Sequence, residues 1–143
     1  MHVSKISSEQ EIQVKMDIAL WMVQILLAAL FGVAGFIKVF QTKKLREQWK
    51  WARGESPVFL RFLGASELLG TAGMILPLLM GILPWLTPLV AIGFGFIQLM
   101  AIIDVDYYPD DFNFFPLNIL LLSASIFVMV GRWPLLISLV ESL

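Results

Sequence analysis

The chain of 143 residues contains no cysteine and only one histidine, His2, which lies in a polar N-terminal stretch. Without cysteine the chain can form no disulfide, hold no iron–sulfur cluster and use no thiol in redox catalysis. Without a histidine in an apolar segment it has no buried histidine pair to ligate a haem or a transition metal. The sequence therefore predicts no metal site, and it offers no catalytic residue of these classes.

Charged residues are also scarce, at 15% of the chain, whereas 59% of the residues are hydrophobic. A soluble domain of this length has about 25% charged and about 45–50% apolar residues. This chain lacks the polar residues needed to coat such a core in water, so its composition indicates an integral membrane protein whose main partner is the lipid bilayer. The net charge of −1 gives no indication of nucleic-acid binding.

Four apolar stretches are separated by polar or proline-rich breaks. A transmembrane helix needs about 20 apolar residues to cross about 30 Å of hydrocarbon. The sequence therefore predicts an all-α fold, a four-helix transmembrane bundle, within one membrane domain over residues 18–133. A polar N-terminal tail (1–17) and a C-terminal tail (134–143) flank this domain. The predicted spans cover residues 18–40, 58–79, 83–103 and 114–130.

Local signals mark the helix ends and the packing surfaces. Ser56 followed by Pro57 is typical of a helix N-cap and first helical position, whereas Pro77 predicts a kink or the end of the second span. Small residues spaced four apart let helices approach closely in lipid. They fit packing within the bundle, and the alternative is a homodimer face. The pairs are Ala28 with Gly32, Ser66 with Gly70, and Ala91 with Gly95.

The aromatic and basic residues predict the orientation of the spans. Four spans place both termini on one face of the membrane and the loops 41–57 and 104–113 on the other. Tryptophan and tyrosine fall at span ends near both faces, as expected for interfacial belts. The positive-inside rule then predicts an inner-membrane protein with these two loops in the cytoplasm and the termini outside. Seven of the ten basic residues lie on the loop side: Lys38, Lys43, Lys44, Arg46, Lys50, Arg53 and Arg61.

Segment 42–54, within the first of these loops, has an amphipathic pattern. Leu45, Trp49 and Ala52 share one helical face, and basic residues surround it. Such a segment could lie flat on an anionic membrane surface, or it could be a solvated basic loop. The sequence leaves both interpretations open.

Polar residues inside the predicted spans are concentrated in one half of the bilayer. Glu67 is the charged residue farthest from a span end, and a charge at that depth costs about 2.5–3.5 kcal/mol on insertion scales. If the second and third spans are antiparallel neighbours, Glu67 lies level with Gln98, and Arg61 lies level with Asp104. The 104–113 loop would then cap a polar pocket. The candidate binding residues are Lys38, Arg61, Glu67, Gln98, Asp104 and Asn118.

These residues allow a structural and a functional interpretation. In the first, Lys38, Arg61, Glu67 and Asp104 neutralise one another and fix the helix register. In the second, they form a pocket or a proton-handling site around Glu67. A third possibility is that Glu67 lies in a water-filled crevice of no consequence. Asp104 and Asp106 could also hold a divalent cation, although acidic pairs of this kind are common in loops.

Several short motifs follow one another along the four predicted spans. Residues 34–38 end the first span with Gly-x-x-Lys, and residues 62–70 carry a Glu-Leu-x-Gly element in the second. A proline-bounded turn at 84–88 leads into the third span, and Asn118 and residues 131–133 lie in and after the fourth. In this order the motifs resemble the DoxX-like family of small four-helix membrane proteins, and the resemblance covers residues 17–133.

The resemblance implies a four-helix bundle in which Lys38, Glu67 and Asn118 match polar family positions. The namesake subunit belongs to a thiosulfate:quinone oxidoreductase, and some relatives are tied to quinone or oxidative-stress handling. Many members end the third helix with a histidine, where this chain has residues 103–106 without one. Redox chemistry here would therefore need a bound quinone.

Three functional hypotheses follow. The first is a membrane subunit without catalytic residues that binds a small molecule or a partner protein. The second is a quinone-linked oxidoreductase subunit in which Glu67 takes protons while Arg61 or Lys38 holds the quinone oxygen. The third is a small transporter, which would have to oligomerise because four helices are few for a transport pathway. A homo-oligomer or a complex with another membrane protein is compatible with all three.

Overall fold

The computed structural model describes the backbone of residues 2–107 and 115–143, and the side chains of residues 7–103 and 115–143. Every regular element in these ranges is a helix, which confirms the predicted all-α class. Seven helices follow one another within these ranges. They are α1 (His2–Phe40), α2 (Thr42–Gln48), α3 (Lys50–Arg53), α4 (Pro57–Met80), α5 (Leu86–Tyr107), α6 (Phe115–Gly131) and α7 (Trp133–Ser142).

Three of the described helices are long and apolar enough to cross a membrane by themselves. The qualifying stretches are Ser7–Phe40 in α1, Pro57–Met80 in α4 and Leu86–Ile103 in α5. Helices α6 and α7 qualify together, although the chain bends by 43° between them. The described part of the chain therefore contains three membrane-crossing helices, or four if the bent pair is one span.

The segments predicted as tails are helical where the structure describes them. Helix α1 begins at His2 and runs without a break into the first span, and α7 continues to Ser142. The residues at 9–16 are mostly glutamate, glutamine, lysine and methionine, which have good helix propensity. A long apolar helix supplies the nucleus, so adding turns to it is favourable even where the added residues are exposed.

The start of α4 follows the N-cap signal in the sequence. The Ser56 hydroxyl accepts a hydrogen bond from the Phe59 N–H at 3.1 Å, and Pro57 occupies the first turn. This bond satisfies one of the amide groups that a helix start leaves without a partner.

Pro77 lies inside α4 and does not end it. The helix continues to Met80 and ends at Gly81, whose φ of 71° is readily adopted by glycine. Proline has no N–H to donate to the carbonyl four residues earlier, which here belongs to Gly73. The hydroxyl of the buried Thr87 on α5 donates to that oxygen at 3.3 Å. A contact from the next helix thus replaces the missing bond.

The four long helices form a ring in which α1 packs on α4 and α6, and α5 packs on the same two helices. The rings of Phe31 and Phe94 stack at the centre, with centroids 3.8 Å apart and an interplanar angle of 5°. This pair joins α1 to α5 across the bundle. Other buried members of the core are Leu27, Met74, Ala91, Leu121 and Val128.

Helices α1 and α4 touch at Gly35 and Gly64. A Cβ atom on Gly35 would lie 2.7 Å from the Gly64 carbonyl oxygen, and one on Gly64 would lie 2.7 Å from the Gly35 oxygen. No side chain fits between these backbones, which is the role that small residues have in membrane bundles. The same contact places Gly35 beside Glu67 and Gly64 beside Lys38.

Helices α2 and α3 fold against the bundle. Leu45 and Ala52 are buried and form a small apolar cluster with Leu60 at the start of α4. The amphipathic face predicted for 42–54 is therefore covered by protein, and most of the basic side chains of the segment are exposed on the other side. Neither a flat lipid-inserted helix nor a fully solvated loop describes this part of the chain.

A cluster of polar side chains lies at the end of the bundle opposite to α2 and α3. The buried Gln24 donates from Nε2 to the Met74 carbonyl at 2.9 Å and accepts from Arg132 Nε at 2.8 Å. Arg132 also donates to Asp17 at 2.7 Å. These bonds tie α1 and α4 to the residue at which α6 passes into α7.

Candidate binding cavity

A cavity of about 610 Å³ lies at the end of the bundle where α1 finishes and α6 begins. Helices α1 to α6 all contribute to its walls, and α2 and α3 lie across that end. Its volume falls within the range of about 300–1,000 Å³ that is usual for small-molecule sites. Apolar side chains form most of the wall, and a few polar groups project from it.

The cavity contains a buried ion pair between α1 and α4. Lys38 Nζ lies 2.5 Å from Glu67 Oε1, and the two side chains are 13% and 1% exposed. The close contact of Gly35 with Gly64, one turn away on each helix, places the two side chains within reach of each other. The Lys38 ammonium also lies 5.8 Å from the centre of the Trp51 ring, within range of a cation–π contact.

The backbone of Lys38 is held in place as well. The Thr42 hydroxyl donates to the Lys38 carbonyl at 2.5 Å, just after α1 ends. Thr42 itself is buried. The hydroxyl satisfies one of the carbonyl groups that the helix terminus leaves free, so the last turn of α1 is fixed where it enters the cavity wall.

The antiparallel register of α4 and α5 places Gln98 beside Glu67. Gly70 faces the Phe94 ring, and Gly73 faces Val90. Glu67 lies one turn before Gly70 on α4, and Gln98 lies one turn after Phe94 on α5. The two side chains therefore lie level in the bundle, as the sequence predicts. Both side chains line the cavity.

Two acceptor atoms in the cavity have no hydrogen-bond partner among the described residues. They are Glu67 Oε2 and Gln98 Oε1, and both are buried. The residues are only 1% and 6% exposed. An unsatisfied buried acceptor costs about 1–3 kcal/mol, and more when the group is charged. These two acceptor atoms therefore favour any molecule in the cavity that can donate hydrogen bonds to them.

The structure brings together four of the six candidate residues. Lys38, Glu67, Gln98 and Asn118 all line the cavity, with Asn118 half-buried at the start of α6. Asp104 lies in the last turns of α5, but its side chain is outside the described residues, as is that of Asp106. The 104–113 loop predicted to cap the pocket is also outside the described residues for most of its length.

Arg61 does not line the cavity; its side chain is exposed. The reason is the helical period: six residues rotate the side-chain direction by about 240° from Glu67, away from α1 and α5. Arg61 therefore lies apart from the cavity that holds Lys38 and Glu67, and the predicted neighbour of Arg61, Asp104, is outside the described side chains. Within the described residues, Lys38 is the cation that pairs with Glu67.

Sequence reasoning missed the contribution of the α2–α3 segment to the cavity. Lys44, Gln48, Trp49 and Trp51 all line it. The signal in the sequence is the amphipathic face at Leu45, Trp49 and Ala52, whose pattern also fits a membrane surface or a loop. The pattern predicted a buried face correctly, but it did not show that protein would cover it.

Among the described residues, no group of three or more histidine, cysteine, aspartate or glutamate side chains is placed to hold a metal ion. The cavity instead offers one carboxylate, its lysine partner, amide groups and aromatic rings. These groups can bind and orient a small molecule with an apolar body and a polar head.

A model of the DoxX-like family matches residues 22–128, which is most of the chain and includes the cavity. The chain belongs to the DoxX-like family. The resemblance read from residues 34–38 and 62–70 is thereby confirmed, and the membership agrees with the long apolar helices of a transmembrane protein. No curated protein and no solved structure matches this DoxX-like chain.

Proposed function

We propose that this DoxX-like protein is a four-span, multi-pass protein of the inner membrane that binds an apolar small molecule in the cavity beside Glu67. It acts as a binding subunit and performs no catalytic step of its own. The observation that carries the proposal is a cavity of about 610 Å³ whose wall holds two buried acceptors without a partner in the part of the chain that the structure describes.

The shape of the site favours a small molecule over a protein partner. Six helices surround the cavity, and α2 and α3 cover the end at which a protein would dock. The Phe31, Trp49 and Trp51 rings provide apolar surface for a ligand body. A molecule with a long apolar part would reach such a site from the bilayer, where it is already concentrated.

Four spans are supported by the packing of α6. This helix of 17 residues is about 26 Å long at 1.5 Å per residue, and it contributes Leu121 and Val128 to the bundle core. The bend after Gly131 then lets α7 extend the span or run along the interface, where Trp133 is suited to lie. Four spans return both termini to the same face of the membrane.

The test compares two alanine-to-phenylalanine variants of the purified full chain. Ala101 lines the cavity, so Ala101→Phe fills part of it, whereas Ala65 is exposed on α4, so Ala65→Phe serves as the matched control. Native mass spectrometry and solvent extraction would identify the small molecules that each protein retains.

We expect the wild-type protein and Ala65→Phe to retain the same molecule and Ala101→Phe to lose most of it. Equal retention by both variants would place the bound molecule on the lipid-facing surface and contradict the proposal. Retention of nothing by any of the three proteins, with bulk lipid removed, would contradict it too.

A further inference from the structure

We infer that the cavity selects amphiphiles whose head group donates hydrogen bonds, such as a phenol or an alcohol, over molecules of the same shape whose head group only accepts them. The inference rests on the proposed function and adds the chemical class of its ligand. It comes from the two buried acceptors, Glu67 Oε2 and Gln98 Oε1, which face one cavity without a partner among the described residues.

Glu67 sets the preference because its two oxygens have different surroundings. Oε1 accepts from the Lys38 ammonium, and a carboxylate paired with an ammonium offers its other oxygen as an acceptor. That oxygen, Oε2, is buried and has no partner among the described side chains. A hydroxyl would donate to Oε2 in a charge-assisted hydrogen bond, whereas a carbonyl or ether oxygen would repel it.

Gln98 adds a second acceptor at the same level. Its Oε1 is buried and lacks a partner within residues 7–103 and 115–143, and the register of α4 and α5 places it beside Glu67. A head group with one hydroxyl can satisfy one of these atoms, and a head group with two hydroxyls can satisfy both. The cavity therefore favours donors at both positions.

The donors in the cavity wall do not reverse this preference. The Lys38 ammonium is already engaged by Glu67 and lies near the Trp51 ring. Gln41, Lys44 and Gln48 are exposed and Asn118 is only half-buried, so their N–H groups can be solvated and carry a smaller penalty. The buried acceptors carry the larger unmet penalty because the low dielectric around them strengthens each polar interaction.

The test uses two probes with the same octyl chain and ring, para-octylphenol and its methyl ether para-octylanisole. The phenol can donate a hydrogen bond, and the ether can only accept one. Binding of each probe to the full chain in lipid nanodiscs would be measured by mass spectrometry, with partitioning into empty nanodiscs subtracted. We expect the phenol to bind about tenfold tighter, because only the phenol can donate a hydrogen bond to a buried acceptor that lacks one.

Two variants, each of which changes one acceptor, test whether the acceptors cause the preference. Gln98→Leu removes one acceptor and should reduce the phenol-to-ether ratio several-fold, whereas Gln10→Leu makes the same change at an exposed site and should leave the ratio unaltered. Glu67→Gln places an amide where Oε2 stood and should shift the ratio toward the ether. If Glu67→Gln fails to fold, the Gln98→Leu result still decides the question.

The outcomes separate the two proposals. If both probes bind with equal affinity, or if the ether binds tighter, the donor preference is wrong while the binding function stands. If the ratio is the same in Gln98→Leu as in the wild type, and Glu67→Gln, where it folds, leaves it unchanged too, the acceptors do not cause it and the inference fails. If neither probe binds above empty nanodiscs, the proposed function fails together with the inference.

Discussion

The Lys38 ammonium of α1 and the Glu67 carboxylate of α4 meet at 2.5 Å inside the bundle, where Glu67 is almost completely buried. The contact joins the last turn of one membrane helix to the middle of the next. It also determines which carboxylate oxygen remains open to the cavity. The pair is thus part of the packing of the fold and part of the binding site.

Removing one partner of this pair should destabilise the protein strongly. Lys38→Met leaves the Glu67 charge buried without a counter-charge, and we expect the free energy of unfolding to fall by about 3–5 kcal/mol. The double variant Lys38→Met with Glu67→Leu should recover most of that loss because no charge stays buried. Reversible unfolding in mixed micelles would measure both.

The exposed pair of Lys15 with Glu11 serves as a control for this comparison. Its atoms are 3.2 Å apart, but the side chains are 73% and 68% exposed. Lys15→Met should therefore change the free energy of unfolding by less than about 1 kcal/mol. A loss in Lys38→Met no larger than that in Lys15→Met would contradict the structural role of the buried pair.

Alanine at Gly64 should destabilise the bundle. Its Cβ would lie 2.7 Å from the Gly35 carbonyl oxygen and 2.7 Å from the Lys38 Cβ, so α1 and α4 must move apart. We expect a loss of about 1–3 kcal/mol in the free energy of unfolding, as for other overpacked sites. Thermal unfolding in detergent would measure it.

Gly93 provides the matched substitution, because nothing lies within 4 Å of a Cβ built there among the described residues. Alanine has a higher helix propensity than glycine by about 1 kcal/mol, so Gly93→Ala should be neutral or stabilising. Opposite signs at the two sites are the expected result. A similar loss at both would show that space between α1 and α4 is not what Gly64 provides.

The Thr87 hydroxyl should stabilise the bundle only because Pro77 has no N–H to donate to the Gly73 carbonyl. Thr87→Val removes the donor to the buried Gly73 carbonyl and should cost about 1–3 kcal/mol. In a Pro77→Ala background, the new N–H can bond to the same oxygen, so the valine substitution should cost much less. A double-mutant cycle by reversible unfolding measures the coupling. Equal losses in both backgrounds would refute the compensation.

The proposed orientation can be tested with single cysteines, since the chain has none to interfere. Lys43→Cys and Ile82→Cys place an exposed thiol at opposite ends of the bundle. In intact cells, a membrane-impermeant maleimide should label position 82 and should label position 43 only after lysis. The reverse pattern would show that the positive-inside rule assigns the faces of this protein wrongly.

Several features of the site could be predicted from the sequence because they depend on depth along a helix. Glu67 and Gln98 come level because antiparallel helices have the same rise per residue, and this holds without knowledge of helix rotation. Asn118 joins them because it lies near the same end of its helix. The N-cap at Ser56 is local, so the residue types alone indicate it.

Other features depend on which way each helix turns toward its neighbours. Arg61 lies at a suitable depth along α4, but its side chain points away from the cavity. The sequence pattern indicates the depth of a residue along its helix and not the direction of its side chain. The bond from Arg132 to Gln24 joins residues 108 positions apart and needs the ends of two helices to meet. The cover of α2 and α3 over the cavity likewise depends on a surface that exists only in the assembled bundle.

Composition and the order of residues along each helix are enough to establish that this protein lies in a membrane, that it is helical, and that the polar groups of the cavity lie at one level. Those properties follow from transfer free energy and from helical rise, which act within one segment. The assembled bundle decides which polar groups meet and which acceptors stay open. Helix rotation is set by the contact of small residues such as Gly35 and Gly64, and each such contact involves two segments at once.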